Sequence, residues 1–173
     1  MSTQEKPQDY FEQLRSEMLP YIPIQAKTLL EIGCGTGNFG VAMKSRQEVT
    51  VWGIEMNPKA TNQAETRLDK VICGNAVEVI ADVPDAKFDC IVCNDILEHL
   101  VDPADFLQKL KQKLTATGKI VISIPNVHFF FDNFINFVFK KQWCYEPTGV
   151  LDETHLRFFT RKSLDDFFSK QSI

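Results

Sequence analysis

The sequence lacks a long apolar run. No stretch approaches the roughly 18 consecutive apolar residues of a membrane-spanning helix. The opening MSTQEKPQDYFEQL holds no hydrophobic core of a secretory leader. Positive charge is not in excess either: 19 Lys and Arg face 23 Asp and Glu, a formal net charge of −4. That balance disfavours a nucleic-acid surface. With only 8 glycines and 8 prolines, the chain is neither collagen-like nor low in complexity. The 5 cysteines are an odd number, and Cys73, Cys90 and Cys93 fall in apolar, strand-like runs. This is the pattern of reduced thiols in a cytoplasm, so a cytoplasmic location is expected. Cys90 and Cys93 form a C-x2-C pair, but no second pair follows at zinc-site spacing.

What is present is an ordinary globular composition, 44% apolar and 24% charged, in 173 residues. That length suits one domain. Residues 1–26 read as a helical lead-in: Phe11, Leu14 and Met18 share a face, and Pro20 and Pro23 end the helix. Strands and helices then alternate over 27–173. Lys27–Ile32 reads as a strand running into a glycine-rich turn, with a helix opening near Asn38. Val49–Ile54 is a second strand, after which Asn57-Pro58 supplies an N-cap and a first-turn proline. Val71–Cys73 is a short third strand. Phe88–Cys93 is apolar apart from Asp89, as expected of a strand covered on both faces. Asp102-Pro103 opens a helix that Gly118 is expected to stop, and Lys119–Ile124 is a fifth strand. The fold class is therefore α/β, a doubly wound, mostly parallel sheet with helices on both faces.

After Pro125 the texture changes. Of the 14 phenylalanines, ten lie beyond residue 128. Phe130, Phe134, Phe137 and Val138 fit one helical face, expected to pack on the sheet edge or to meet a greasy acceptor.

The sharpest signal is the run Glu31-Ile32-Gly33-Cys34-Gly35-Thr36-Gly37. Its glycines let the backbone turn tightly from strand to helix and let a ligand lie against bare main chain. Glu55, at the end of the second strand, is placed to accept two hydrogen bonds from ribose hydroxyls. Two cofactors compete for this geometry. Gly35-Thr36-Gly37-Asn38-Phe39-Gly40 satisfies the dinucleotide fingerprint, but a dehydrogenase also needs a substrate domain for which few residues remain.

The other reading comes from resemblance. Glu31–Gly37 resembles the first motif of class I S-adenosylmethionine-dependent methyltransferases, with Glu55 matching that family's ribose-binding acid. Gly74-Asn75-Ala76 matches the place where an adenine edge is held, although Asp is commoner there than Asn75. Phe88–Leu100 and Gly118–Pro125 match the fourth and fifth strands. Thr154–Thr160 resembles a segment of the ubiquinone-biosynthesis-like branch. A Rossmann-like fold is thereby implied, with S-adenosyl-L-methionine as cofactor. The resemblance lays Gly33, Cys34, Gly35 and Gly37 along the methionine part and gives its amino group to Glu31. Glu55 takes the ribose, Met56 packs on the adenine, Asn75 and Ala76 meet its edge, and Asn94 and Asp95 close the site at the strand ends. Family members also carry a sixth and a seventh strand, for which this sequence shows no counterpart. A C-terminal truncation is expected, with an exposed fifth-strand edge that favours self-association.

Asp95, Glu98 and His99 stand at i, i+3 and i+4, the spacing of one helical face. Certain ubiquinone-type and small-RNA methyltransferases resemble this with E-x-x-E-H. A metal is not expected, but Asp95, Glu98 and His99, with His155, are the residues that would hold Mg2+ or Mn2+. His99 is instead the candidate catalytic base or acceptor contact, while His128 reads as an aromatic filler.

The leading expectation is methyl transfer to a small molecule, on oxygen ahead of nitrogen, with a quinone precursor, sugar or lipid as acceptor. The rivals are a noncatalytic cofactor-binding module and an RNA methyltransferase, the latter disfavoured by the negative charge. No membrane span is expected.

Overall fold

The computed structural model describes residue 6, residues 8–127, residue 149 and residues 152–170. Five strands form one sheet: β1 Thr28–Ile32, β2 Thr50–Glu55, β3 Lys70–Cys73, β4 Phe88–Asn94 and β5 Leu114–Ser123. Their spatial order is β3-β2-β1-β4-β5, every pairing parallel. The sequence therefore reverses direction of growth at β1, and the C-terminal ends of β1 and β4 diverge there to leave a crevice.

Alternation along the strands supplies two cores. Leu29, Val51, Cys90 and Val92 pack on one face with Phe39 and Met43 of helix α2 (Asn38–Arg46) and Ala64 of α3 (Pro58–Ala64). Leu30, Ile32, Ile54, Ile91 and Cys93 pack on the other with Phe106, Leu107 and Leu110 of α5 (Pro103–Lys113). Each fully buried Leu, Ile, Val, Phe or Met among them contributes roughly 1.5–3 kcal/mol. Cys90 and Cys93, three residues apart on one strand, lie in opposite cores, which no shared zinc ion can bridge. Cys73, expected in an apolar strand, is exposed at the end of β3.

The caps form where their chemistry asks. Asn57 Oδ1 accepts from the amides of Lys59 and Ala60, Asn75 Oδ1 accepts from Val77 ahead of α4 (Ala76–Val79), and Asp102 accepts from Asp105. Thr160 and Ser163 form a reciprocal capping box at α6 (Arg161–Ser169).

Three expectations are corrected. The lead-in is not one helix: α1 (Gln8–Phe11) is a single turn, Arg15 turns left-handed at φ 50°, and Ser16–Tyr21 is a 3-10 turn. Met18 is buried while Leu14 is exposed, so the shared face dissolves, and Pro20 sits inside the 3-10 turn. Gly118 does not stop α5. The helix ends at Lys113, and Leu114 is already extended. Gly118 lies within β5, where the register on β4 jumps from Phe88–Leu114 to Cys90–Lys119. A Cβ there would meet the Phe88 carbonyl oxygen at 2.7 Å, so close backbone approach is what needs the glycine. Finally, Asp95 is not on a helical face with Glu98 and His99. It turns left-handed at φ 53°, and only Leu97–His99 form a 3-10 turn. The Phe-rich run 128–139, with His128, lies outside the described residues.

Candidate active site

A cavity of about 690 Å3 opens at the C-terminal ends of β1, β2 and β4, within the range of small-molecule sites. Its floor is the turn after β1. The amides of Gly33 and Cys34 both donate to the Ile54 carbonyl, at 2.8 and 3.0 Å, tying the turn to β2. Gly33, Gly35 and Gly37 all have positive φ. At Gly35 a Cβ would stand 2.4 Å from the Phe11 carbonyl oxygen, so both its conformation and its space require glycine.

Glu55 reaches back to the same turn. Its Oε2 accepts from the Gly35 amide at 2.9 Å and its Oε1 from Asn57 at 2.7 Å. Burial pushes its carboxyl up, and these donors pull against that. Glu31 differs. It is buried, one carboxylate oxygen has no hydrogen-bond partner among the described residues, and burial followed by the Glu55 charge raises its carboxyl well above the ordinary range. Asn94 Nδ2 is likewise buried without a partner among them. Glu31, Gly33, Cys34, Gly35, Glu55, Met56, Asn75, Ala76, Asn94 and Asp95 all line the cavity, as the sequence anticipates. Gly37 does not. It packs against Ala64 and Leu68 at the start of α2.

The roof comes from the N-terminal segment, which sequence reading left as a lead-in. Tyr10, Phe11, Gln13 and Arg15 line the cavity. The Phe11 carbonyl accepts from the Thr36 amide and hydroxyl at 2.9 and 3.2 Å. Arg15 forms an ion pair with Asp95, its Nη2 lying 3.3 Å from Oδ1 and 3.0 Å from Ser123 Oγ. Lys6 forms a buried ion pair with Asp152. Burial, then the surrounding carboxylates, pushes the Tyr10 hydroxyl up to about 12. Arg15 lies 80 residues from Asp95 and Lys6 lies 146 from Asp152, and no local pattern announces such pairs.

The far wall holds His99 and His155, with Glu98 buried beside them. One donor atom from each lies within 4.8 Å of the others. Asp95, which the sequence grouped with them, is committed to Arg15 instead. Glu98 is buried, its carboxyl pushed up by burial to about 8, with His155 Nε2 3.9 Å away. His99 is held at Nδ1 by the carbonyl and the hydroxyl of Thr154, at 3.2 and 3.1 Å. Burial, then His155, lowers its imidazole below the ordinary value. The two rings meet edge to face, with centroids 4.7 Å apart.

A family model described as a methyltransferase domain matches residues 4–171. The ubiquinone biosynthesis O-methyltransferase of Paracidovorax citrulli is 31% identical over 112 residues, 60% of this chain and 46% of that protein. The mitochondrial ubiquinone biosynthesis O-methyltransferase of Schizosaccharomyces pombe is 32% identical over 103 residues, 56% of this chain and 37% of that protein. The chain thus spans less than half the length of these two curated relatives. Among solved structures, a SAM-dependent methyltransferase from Archaeoglobus fulgidus superposes with a TM-score of 0.69 at 22% identity, covering 93% of this chain and 68% of that one. A possible histamine N-methyltransferase from Thermotoga maritima gives 0.66 at 21%, covering 90% and 67%. These neighbours share the Rossmann-like fold, and with the methyltransferase family match S-adenosylmethionine is the expected cofactor. Among the described residues no helix is long and apolar enough to cross a membrane. By the family match and the sheet order together, the chain belongs to the methyltransferase domain family.

Proposed function

We propose that this protein transfers a methyl group from S-adenosylmethionine to a hydroxyl of a small molecule. The observation that carries the reading is one cavity holding two different halves: a buried acid pair at a glycine turn, of which Glu31 keeps one oxygen without a partner among the described residues, and across from it a histidine whose imidazole burial holds below its ordinary value.

The residues fit the cofactor. Glu31 has an oxygen to spare for an ammonium and Asn94 an amide hydrogen for a carboxylate, which together suit the amino-acid end. Glu55, fixed by two backbone donors, retains lone pairs for ribose hydroxyls. Met56 presents a partly exposed apolar side chain to a base. Asn75 spends its oxygen on the α4 cap, which leaves its Nδ2 hydrogens and the Ala76 amide for an adenine edge. When bound, the cofactor supplies a methyl group already activated by a positively charged sulfur. The protein's own task is alignment, which can supply roughly 7–11 kcal/mol.

A hydroxyl acceptor must also lose a proton. Tyr10 cannot take it near neutral pH, because its own hydroxyl titrates at about 12. Glu98 at about 8 is largely protonated at pH 7. His99 is neutral there and lines the cavity, so it is the proton acceptor.

The test is transfer of labelled methyl to a panel of phenols, sugars and amines, alongside calorimetry with S-adenosylmethionine, its demethylated product and NAD. Tight binding of the demethylated product, no binding of NAD and label on oxygen are expected. Label on nitrogen would move the acceptor class, and NAD as the preferred ligand would overturn the reading.

A further inference from the structure

Nothing in the sequence pattern assigns a role to Thr154 beyond membership of a family-like segment, yet both oxygens that meet His99 Nδ1 belong to it. Its carbonyl oxygen lies 3.2 Å from His99 Nδ1. A carbonyl can only accept, so this contact is a hydrogen bond only when Nδ1 carries the proton. Thr154 Oγ1 lies 3.1 Å from the same nitrogen. A hydroxyl could donate or accept, but this one is already spent: it donates to Asp152 Oδ1 at 2.7 Å. Asp152 Oδ1 also accepts the Thr154 amide at 2.9 Å, and the buried Lys6 ammonium pairs with Oδ2. Burial pushes the Asp152 carboxyl up, but Lys6 and the Thr154 donors more than offset this and hold it ionised below its ordinary range. The carboxylate therefore fixes the direction of the hydroxyl, and the hydroxyl presents only a lone pair to the histidine. Both oxygens at Nδ1 are acceptors. The proton of the neutral ring has one place to be.

We propose that the chain Lys6–Asp152–Thr154 is a positioning device that locks His99 in the Nδ1–H tautomer, leaving Nε2 as the nitrogen that takes the acceptor's proton. Among the described residues no hydrogen bond reaches Nε2. In the step itself the acceptor O–H bond breaks and the proton goes to Nε2, while the oxygen keeps the electron pair and would bond the methyl carbon as that carbon's bond to the donor sulfur breaks, its pair staying on the now neutral sulfur. The proton leaves to solvent from the imidazolium afterwards. The proposal rests on the hydroxyl-methyltransferase reading for its use, but the tautomer stands or falls by itself. Asp152 acts through two successive hydrogen bonds, so Thr154 and Asp152 are positioning residues and His99 is the group that takes the proton.

Two-bond proton–nitrogen correlation spectra of histidine-labelled protein read the tautomer directly, with His99→Gln identifying the signal. The wild type should show His99 with Nδ1 protonated and Nε2 bare. Thr154→Val removes the hydroxyl at nearly constant size and should shift population toward the Nε2–H form. It should lower kcat about tenfold with the cofactor Kd unchanged, and Thr154→Ser should restore both the spectrum and the rate. Asp152→Ala should move the spectrum the same way and gives a second reading where Thr154→Val folds poorly. A wild-type spectrum with Nε2 protonated overturns the proposal, and so does a Thr154→Val spectrum that matches wild type. The expected spectra with no methyl transfer to any hydroxyl leave the tautomer standing and overturn its use as a base, which is a failure of the function reading alone.

Discussion

The two halves of the cavity are built in different ways. The half around Glu31, Gly35 and Glu55 comes from consecutive pieces of chain. Strand β1, its turn and the end of β2 are neighbours in sequence and in the sheet, and parallel pairing from Thr28–Thr50 to Ile32–Ile54 delivers the two acids side by side. The half around His99 comes from residues that meet only through long-range contacts: Thr154 lies 55 residues from His99, and Lys6 lies 146 from Asp152. Sheet topology fixes the first half. Specific polar contacts fix the second. A site divided in this way can keep its donor chemistry while its acceptor wall changes.

Substitutions on each side should therefore separate cleanly. His99→Ala should lower kcat by about 10^2- to 10^4-fold, the usual worth of a positioned base, with calorimetric affinity for the cofactor product essentially unchanged. A parallel loss of affinity would break the division into halves. Glu55→Ala should act the other way. Losing two charge-assisted bonds to a ribose, it should weaken cofactor binding by about 2–3 kcal/mol by titration calorimetry.

Glu31 should show that binding and stability oppose each other at one carboxyl. Its folded-state value is raised, first by burial and then by Glu55, so folding holds the proton more tightly than the unfolded chain does. Stability is then fully present below the unfolded value of about 4.3 and is lost as pH rises through the folded value. Glu31→Gln should melt higher than wild type at pH 7, with the gap closing below about pH 4, while binding the cofactor less well by about 1–2 kcal/mol. Equal melting temperatures at both pH values would remove the strain argument. Arg15→Ala, which opens a half-exposed ion pair over the cavity, should cost about 1 kcal/mol of cofactor affinity, visible as faster release in stopped flow. The smallest effect is expected from EDTA. With Asp95 held by Arg15 and His99 Nδ1 turned to Thr154, turnover should be unchanged by chelation, and strict rescue by Mg2+ would recast Glu98, His99 and His155 as ligands.

The same division explains what was legible in the sequence. Strands β1 to β4 and the caps at Asn57 and Asp102 follow from short-range patterns of alternation and capping, and the turn at Gly33 and Gly35 from glycine spacing; the places of Met56, Asn75, Ala76, Asn94 and Asp95 at the cavity come from family resemblance. The errors fall where the chain obeys a distant partner. Arg15 breaks the lead-in helix to reach Asp95 and Ser123. Gly118 serves a register jump against Phe88 rather than a helix end. Asp95 abandons the helical spacing of Glu98 and His99 because a left-handed turn aims it at Arg15. Tyr10 and Asp152 carried no readable signal, and Phe11 and Thr154 none that placed them at the cavity, since each acts only through what the fold sets beside it.

The roof has a consequence for the order in which the protein matures. The β1–β2 pair closes a far shorter loop than the Lys6–Asp152 contact and can form earlier, because loop entropy grows with the span to be closed. Lys6 has nothing to grip until residue 152 has been synthesised and folded back. A nascent chain therefore possesses the glycine-turn floor of the cavity well before it possesses either the roof or the oriented histidine. Synthesis in the N-to-C direction delays the oriented histidine until Asp152 arrives, so Lys6, made 146 residues earlier, finds its place only then.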